Sequence, residues 1–180
     1  MNLDIDYRRY KNTIRLVGPS NTGKSVIAKA IVEPFLYYSA TMSGCAGEHY
    51  FGAMVNKSII LIEELWVIPS TADDYKTILS GYPIHVNKKH ITEREELSET
   101  PIIVTSNHVQ WGRGHISGID EVALNNRTFT FNLCTPFPKT TRKLLNKHIL
   151  FELLHYNRVL FYINHSSIFQ LPPEPCEPEK

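Results

Sequence analysis

Residues 18–25 place two glycines, a lysine and a hydroxyl side chain at a spacing that suits phosphate binding. They read Gly-Pro-Ser-Asn-Thr-Gly-Lys-Ser, the pattern G-x-x-x-x-G-K-[ST]. The glycines let backbone N–H groups converge on a phosphate, and the N-terminal end of the following helix adds partial positive charge. Lys24 in this pattern reaches the β- and γ-phosphates, and the Ser25 hydroxyl ligates Mg²⁺. The residues of this predicted ATP and Mg²⁺ site are Gly18, Pro19, Ser20, Asn21, Thr22, Gly23, Lys24 and Ser25.

Two successive carboxylates, Glu63 and Glu64, follow the apolar run 59–62. One such carboxylate can hold the hydration shell of Mg²⁺, which leaves the other to orient and deprotonate a water molecule. A phosphoryl-transferring kinase has reason to avoid a water-activating base beside the γ-phosphate, so the pair favours hydrolysis. The alternative is that both acids only cap the next element.

Two further polar residues stand at strand boundaries. Asn107 ends the apolar run 101–106, where an amide can touch the γ-phosphate or the attacking water. Arg127 precedes the alternating run 128–133 and could stabilise charge on a transferring phosphoryl group, in its own subunit or in a neighbouring one. A lone arginine at the start of a strand is otherwise a surface residue.

A basic cluster, Lys88, Lys89 and His90, lies between two short alternating runs at 84–86 and 91–92. The pattern predicts a β-hairpin with a basic tip. Such a tip could contact a nucleic-acid phosphate backbone, or it could simply be solvated.

Apolar strands that alternate with helices predict an α/β fold with a mostly parallel central sheet flanked by helices, and functional groups at the carboxyl ends of the strands. A Gly-rich loop is expected through Gly112, Gly114 and Gly118. The predicted strands are 13–17, 35–38, 57–62, 101–107 and 127–133, and the predicted helices are 26–33, 71–80 and 141–156.

The composition indicates one ordinary globular domain: 180 residues, 42% hydrophobic and 21% charged, with a net charge of +1. Because the net charge is so small, any nucleic-acid contact must come from a local patch. Scattered cysteines and the lack of a signal peptide or membrane-length apolar run predict a soluble chain in a reducing, intracellular compartment, without a membrane partner. We expect a lead-in at 1–12, an ATPase domain at 13–165 and a disordered Pro/Glu-rich tail at 166–180.

Taken together, these segments resemble the superfamily 3 helicase domain, an AAA+-related P-loop ATPase, of parvovirus non-structural replication and initiator proteins. The motifs occur in family order and spacing. They are residues 18–25 (Walker A), 60–65 (Walker B), 75–81 with 84–90 (motif B′), 101–107 (motif C) and 124–131 (arginine-finger segment).

The resemblance implies an ATPase that moves 3′ to 5′ along single-stranded DNA in a ring, usually a hexamer, in viral genome replication in the host nucleus. By this analogy Lys24 binds phosphates, while Ser25 and Glu63 hold Mg²⁺. Glu64 activates water and Asn107 acts as the sensor.

The same analogy gives roles outside a single subunit. Arg127 would reach the ATP of the neighbouring subunit, and Lys76 would contact the nucleotide across that interface. Lys88, Lys89 and His90 would line the central pore and bind DNA. Family proteins carry an endonuclease domain and an oligomerisation domain before the ATPase, and neither is recognisable here, so we expect a monomer when the chain is isolated. The alternatives are an ATP-binding assembly module without unwinding activity and a P-loop small-molecule kinase.

Overall fold

The computed structural model describes residues 11–41, 51–87, 94–97 and 99–136. The strands in these ranges are β1 (Thr13–Val17), β2 (Tyr38–Thr41), β3 (Ile59–Ile62), β4 (Ile84–Asn87), β5 (Arg94–Leu97), β6 (Ile102–Ser106) and β7 (Thr128–Asn132). The helices are α1 (Lys24–Val32), α2 (Ala72–Leu79) and α3 (Gly118–Asn125), with short 3-10 turns at Phe51–Met54 and Pro69–Thr71.

The main sheet has five strands in the order β2-β3-β6-β1-β7, and every neighbouring pair is parallel. This confirms the predicted α/β fold with a mostly parallel sheet. All residues of β3 and β6 are buried, as expected for strands that are covered on both faces. β6 lies between β1 and β3, so the strand that leads to Asn107 separates the strand of the phosphate loop from the strand of the two acids.

Two apolar clusters cover the two faces of the sheet. On one face Ala28 and Val32 of α1 pack with Leu16, Leu61 and Ile103. On the other face, residues of α2 and α3 pack with the alternate residues of the same strands. The main members of this second cluster are Ile60, Ile62, Tyr75, Ile78, Leu79, Ile102, Val104, Trp111 and Leu124. The result is a three-layer arrangement in which α1 begins at the carboxyl ends of the strands, directly after the phosphate loop.

The helices at 26–33 and 71–80 are confirmed, with small shifts of their ends. α1 begins at Lys24, directly after Gly23 with φ +85°, and ends just before Pro34. α2 carries two acids in its first turn and is followed by Gly81 with φ +80°, which ends the helix.

The strand predicted at 35–38 is wrong in position, because β2 begins only at Tyr38. Leu36 is 92% exposed and Tyr37 is 68% exposed. The backbone N–H of Phe35 donates to the Val32 carbonyl, so this residue still belongs to the turn that closes α1. Aromatic residues favour strands in general, but here the strand begins where the chain meets β3.

The Gly-rich segment is not a loop throughout, since α3 begins at Gly118. Its N-cap is Ser117, whose side chain accepts a hydrogen bond from the Asp120 N–H at 3.1 Å. Only Leu124 of this helix is buried, while Ile119 and Val122 are exposed. The apolar residues Ile119, Val122 and Ala123 stand at helical spacing, but the three glycines of the segment favour the prediction of a loop.

The predicted hairpin is present, but its second strand lies further along the chain than expected. β4 pairs antiparallel with β5, with Ile84 opposite Leu97 and Asn87 opposite Arg94. The basic tip, Lys88, Lys89 and His90, lies outside the described residues. So do the predicted helix at 141–156, residues 1–10 of the lead-in and the tail from 166.

Candidate active site

The three polar segments that the sequence predicts to act together lie at one edge of the sheet. β1, β6 and β3 are adjacent and parallel, so their carboxyl ends deliver the phosphate loop, Asn107 and the pair Glu63–Glu64 side by side. Two direct contacts bind these segments to each other. The Gly18 N–H donates to the Ser106 carbonyl at 3.2 Å, and the Asn107 N–H donates to Oε2 of Glu64 at 3.3 Å.

The first glycine of the loop is required by close packing against the chain that follows β7. A Cβ atom built on Gly18 would lie 2.1 Å from the carbonyl oxygen of Leu133. The Leu133 N–H in turn donates to the Val17 carbonyl at 2.7 Å, which holds that chain in place. The loop then turns through Asn21 and Gly23, which have φ values of +65° and +85°.

Lys24 is 5% exposed, and its ammonium group is hydrogen-bonded to the phosphate loop itself. Its Nζ donates to the carbonyl oxygens of Gly18 at 2.8 Å and Pro19 at 2.7 Å. Burial lowers the pKa of this ammonium group, and the nearby Glu64 carboxylate partly opposes that effect. The side chain is thus a nearly buried cation at the position where the motif requires one.

Glu64 adopts a left-handed backbone conformation with φ +53°. A non-glycine residue in this region costs ~1–3 kcal/mol and persists when its surroundings hold it there. The Glu64 N–H donates to Oγ1 of Thr105 at 3.3 Å, and its carboxylate accepts from the Asn107 N–H. Both contacts tie Glu64 to the end of β6 and aim its carboxylate across the edge that carries the phosphate loop.

The predicted Mg²⁺ ligands are Ser25 and Glu63. Ser25 is half-buried at the start of α1, and Oε1 of Glu63 lies 3.3 Å from Nζ of Lys29 in the same helix. Among the described residues no cluster of three or more His, Cys, Asp or Glu side chains could hold a metal ion. One hydroxyl and one carboxylate fit Mg²⁺ bound with a nucleotide, because this ion takes most of its ligands from phosphates and water.

Arg127 and Lys76 make their contacts away from the phosphate loop. The Arg127 guanidinium donates to the Ala123 carbonyl, and its Nε is buried without a partner among the described residues. Lys76 Nζ lies 2.7 Å from Asp73 and 2.6 Å from Asp120. These two carboxylates raise the pKa of Lys76, and the lysine together with Ser117 lowers the pKa of Asp120. The pairing joins α2 to α3.

Sequence patterns alone assign no role to Arg15, which lies in the middle of β1 and is 1% exposed. The signal was present in the sequence, because Arg15 is the one charged residue in a mostly apolar predicted strand. Nothing in the sequence indicated the groups that contact Arg15, because these groups belong to residues 108–125.

Comparisons with known proteins agree with this geometry. The family described as "Parvovirus non-structural protein NS1" matches residues 8–166. Initiator protein NS1 of Human bocavirus 4 is 29% identical over 153 residues, which are 81% of this chain and 19% of that protein. Protein Rep52 of Adeno-associated virus 2 is 36% identical over 101 residues, 54% of this chain and 24% of that protein. The chain therefore spans about a fifth to a quarter of the length of these relatives.

A solved structure shows the same fold. The crystal structure of JCV helicase bound to an acetamide compound superposes with a TM-score of 0.57 at 17% identity, covering 81% of this chain and 42% of that one. Within the described part of the chain, no helix is long and apolar enough to cross a membrane. With a family match across residues 8–166 and a helicase fold around the phosphate loop, the chain belongs to the parvovirus non-structural protein NS1 family.

Proposed function

We propose that this chain is an ATP-dependent DNA helicase domain that hydrolyses ATP to move 3′ to 5′ on single-stranded DNA during viral genome replication. The observation that carries the proposal is the contact between Glu64 and Asn107 at the edge of the sheet that holds the phosphate loop. A loop that only binds nucleotide has no need of a carboxylate held in a left-handed conformation and aimed across its binding edge. Family membership supports the same reading.

In this proposal the residues divide the work of hydrolysis. Lys24 and the backbone N–H groups of the loop neutralise the β- and γ-phosphates. Ser25 and Glu63 would hold Mg²⁺, which would supply further positive charge for the phosphates. Glu64 orients a water molecule and accepts its proton as the water oxygen attacks the γ-phosphorus and the bond to the ADP oxygen breaks. Asn107 senses the γ-phosphate from the end of β6.

The remaining roles require a neighbouring subunit. We propose a homo-hexameric ring formed in the presence of ATP and DNA in the host nucleus, and a monomer when the chain is isolated. Arg127 would then complete the ATP site of the next subunit, and Lys76 would exchange its carboxylate partners for that nucleotide. Lys88, Lys89 and His90 would bind the phosphates of single-stranded DNA in the pore.

The test is ATP hydrolysis by this chain with and without single-stranded DNA. We expect turnover that rises when single-stranded DNA is added, with a smaller rise for the same concentration of blunt duplex. Nucleotide binding without hydrolysis under either condition would instead favour an ATP-binding assembly module. Transfer of the γ-phosphate to a nucleoside or other small molecule would favour a kinase.

Arg127→Ala protein is expected to keep its ATP affinity but to lose about 10³-fold in turnover, the scale on which an arginine finger acts. Because the finger would act on a neighbour, mixing this variant with Glu64→Ala protein should restore part of the activity. Turnover is measured across a series of mixing ratios. No recovery at any ratio would count against a site shared between subunits.

A further inference from the structure

Arg15 is a fully buried cation in an interior strand of the main sheet. It lies in β1, which is hydrogen-bonded to β6 on one side and to β7 on the other. Burial lowers the pKa of its guanidinium to about 10, with the charge of Glu121 opposing that effect. The side chain therefore stays charged at neutral pH. A buried charge is costly unless its surroundings supply partners, and a strand as apolar as this one could have used a leucine instead.

The guanidinium contacts two segments that are both distant from Arg15 along the chain. Its Nη2 donates to the carbonyl oxygens of His108 at 3.1 Å and Val109 at 2.8 Å. Its Nη1 donates to Oδ1 of Asn125 at 3.3 Å. The first two acceptors directly follow Asn107, and the third lies two residues before Arg127.

A stacked tryptophan closes the cluster. The Arg15 guanidinium lies 3.9 Å from the centre of the Trp111 ring, and Trp111 Nε1 donates to the same Asn125 Oδ1 at 2.8 Å. The Glu121 carboxylate accepts the backbone N–H groups of Trp111 and Gly112, both at 3.1 Å. Residues 108–112, which follow Asn107, are thus hydrogen-bonded both to Arg15 of β1 and to Glu121 of α3.

We propose that Arg15 is a positioning residue that couples the sensor segment after Asn107 to the arginine-finger segment before Arg127, both anchored on the strand of the phosphate loop. This inference rests on the proposed function, because sensor and finger are roles in ATP hydrolysis. The guanidinium donates to these three oxygens from two nitrogens held in one rigid plane, and the same plane stacks on Trp111. An ammonium carries the same charge but lacks that fixed geometry.

Arg15→Lys protein tests the coupling through amide hydrogen exchange, with and without a non-hydrolysable ATP analogue. In the wild type, the analogue should slow exchange at the Trp111 amide and also at the Arg127 amide, which donates to the Leu124 carbonyl at the end of α3. In Arg15→Lys protein, analogue affinity should stay within about threefold of wild type while the response at Arg127 is lost. In the same variant kcat should fall about 10- to 100-fold with little change in KM.

Val32→Ala is the matched control, because it removes buried volume at the far end of α1 and contacts none of these groups. It separates loss of coupling from loss of stability, and melting temperatures are compared for all three proteins. The proposal is overturned if the Arg127 amide of the wild type does not respond to the analogue, or if the response survives in Arg15→Lys. It is also overturned if Val32→Ala, at an equal loss of melting temperature, loses the response as well. A wild type that shows the exchange response but no hydrolysis contradicts the proposed function alone.

Discussion

Lys24→Ala protein is expected to bind ATP at least about 100-fold more weakly than the wild type, a loss of about 2.8 kcal/mol. The reason is electrostatic: the substitution removes a nearly buried cation beside the proposed position of the β- and γ-phosphates. Equilibrium titration with a fluorescent ATP analogue measures the effect directly and does not depend on turnover.

The control for this prediction is a second lysine whose charge lies outside the loop. Lys57, which precedes β3 and is half-buried, is replaced by methionine so that the net charge changes by the same amount. Only the Lys24 variant should lose affinity. Melting temperatures are measured beside it, because the substitution also leaves the Gly18 and Pro19 carbonyl oxygens without their lysine donor. Wild-type affinity in a folded Lys24→Ala protein would refute the assignment of the loop.

Glu64→Gln protein is expected to bind ATP normally but to hydrolyse it about 10²- to 10⁴-fold more slowly, the usual contribution of a general base. Glutamine keeps the shape of the side chain and an oxygen that can accept the Asn107 N–H. It cannot take a proton from water. Turnover under saturating ATP, measured together with ATP affinity, separates the two effects.

Glu64→Gly separates the chemistry of this residue from its backbone strain. Glycine adopts φ +53° without the cost that a side chain carries, and it keeps the backbone N–H that donates to Thr105. Only the carboxylate contact with the Asn107 N–H is lost, so the free energy of unfolding should fall by less than the loss of one side-chain hydrogen bond usually costs, or rise. Its turnover should still be as low as that of the glutamine variant. Substantial hydrolysis by either variant would mean that another group activates the water.

The parts of the fold that the sequence predicted well are those whose signal is local. The apolar run 59–62 and the run 102–106 lie in strands that are buried on both faces, so their composition alone identifies them. The phosphate loop is also recognised from the sequence alone, because its conformation and its chemistry require glycine, lysine and a hydroxyl residue at fixed positions. α3 was missed although Ile119, Val122 and Ala123 stand at helical spacing, because the glycines at 112, 114 and 118 are more typical of a loop.

The same distinction applies to the candidate site. The predicted parallel sheet implied that Glu64 and Asn107 would be neighbours. The hydrogen bond from the Asn107 N–H to the Glu64 carboxylate, however, depends on the left-handed backbone of Glu64. No residue type encodes that conformation here, because it is imposed by tertiary contacts such as the one with Thr105. The partners of Arg15 were hidden in the same way, since they come from segments about a hundred positions away in the chain.

Because Lys24 donates hydrogen bonds to its own loop, it must give up these bonds to bind a phosphate. Its ammonium already holds the Gly18 and Pro19 carbonyls, so these oxygens act as an internal competitor for the incoming phosphate. The affinity for ATP then reflects the difference between two sets of hydrogen bonds and not the full strength of either. In the proposed hydrolysis cycle, the Gly18 and Pro19 carbonyl oxygens would accept from the lysine again when ADP leaves, which would favour release of the product.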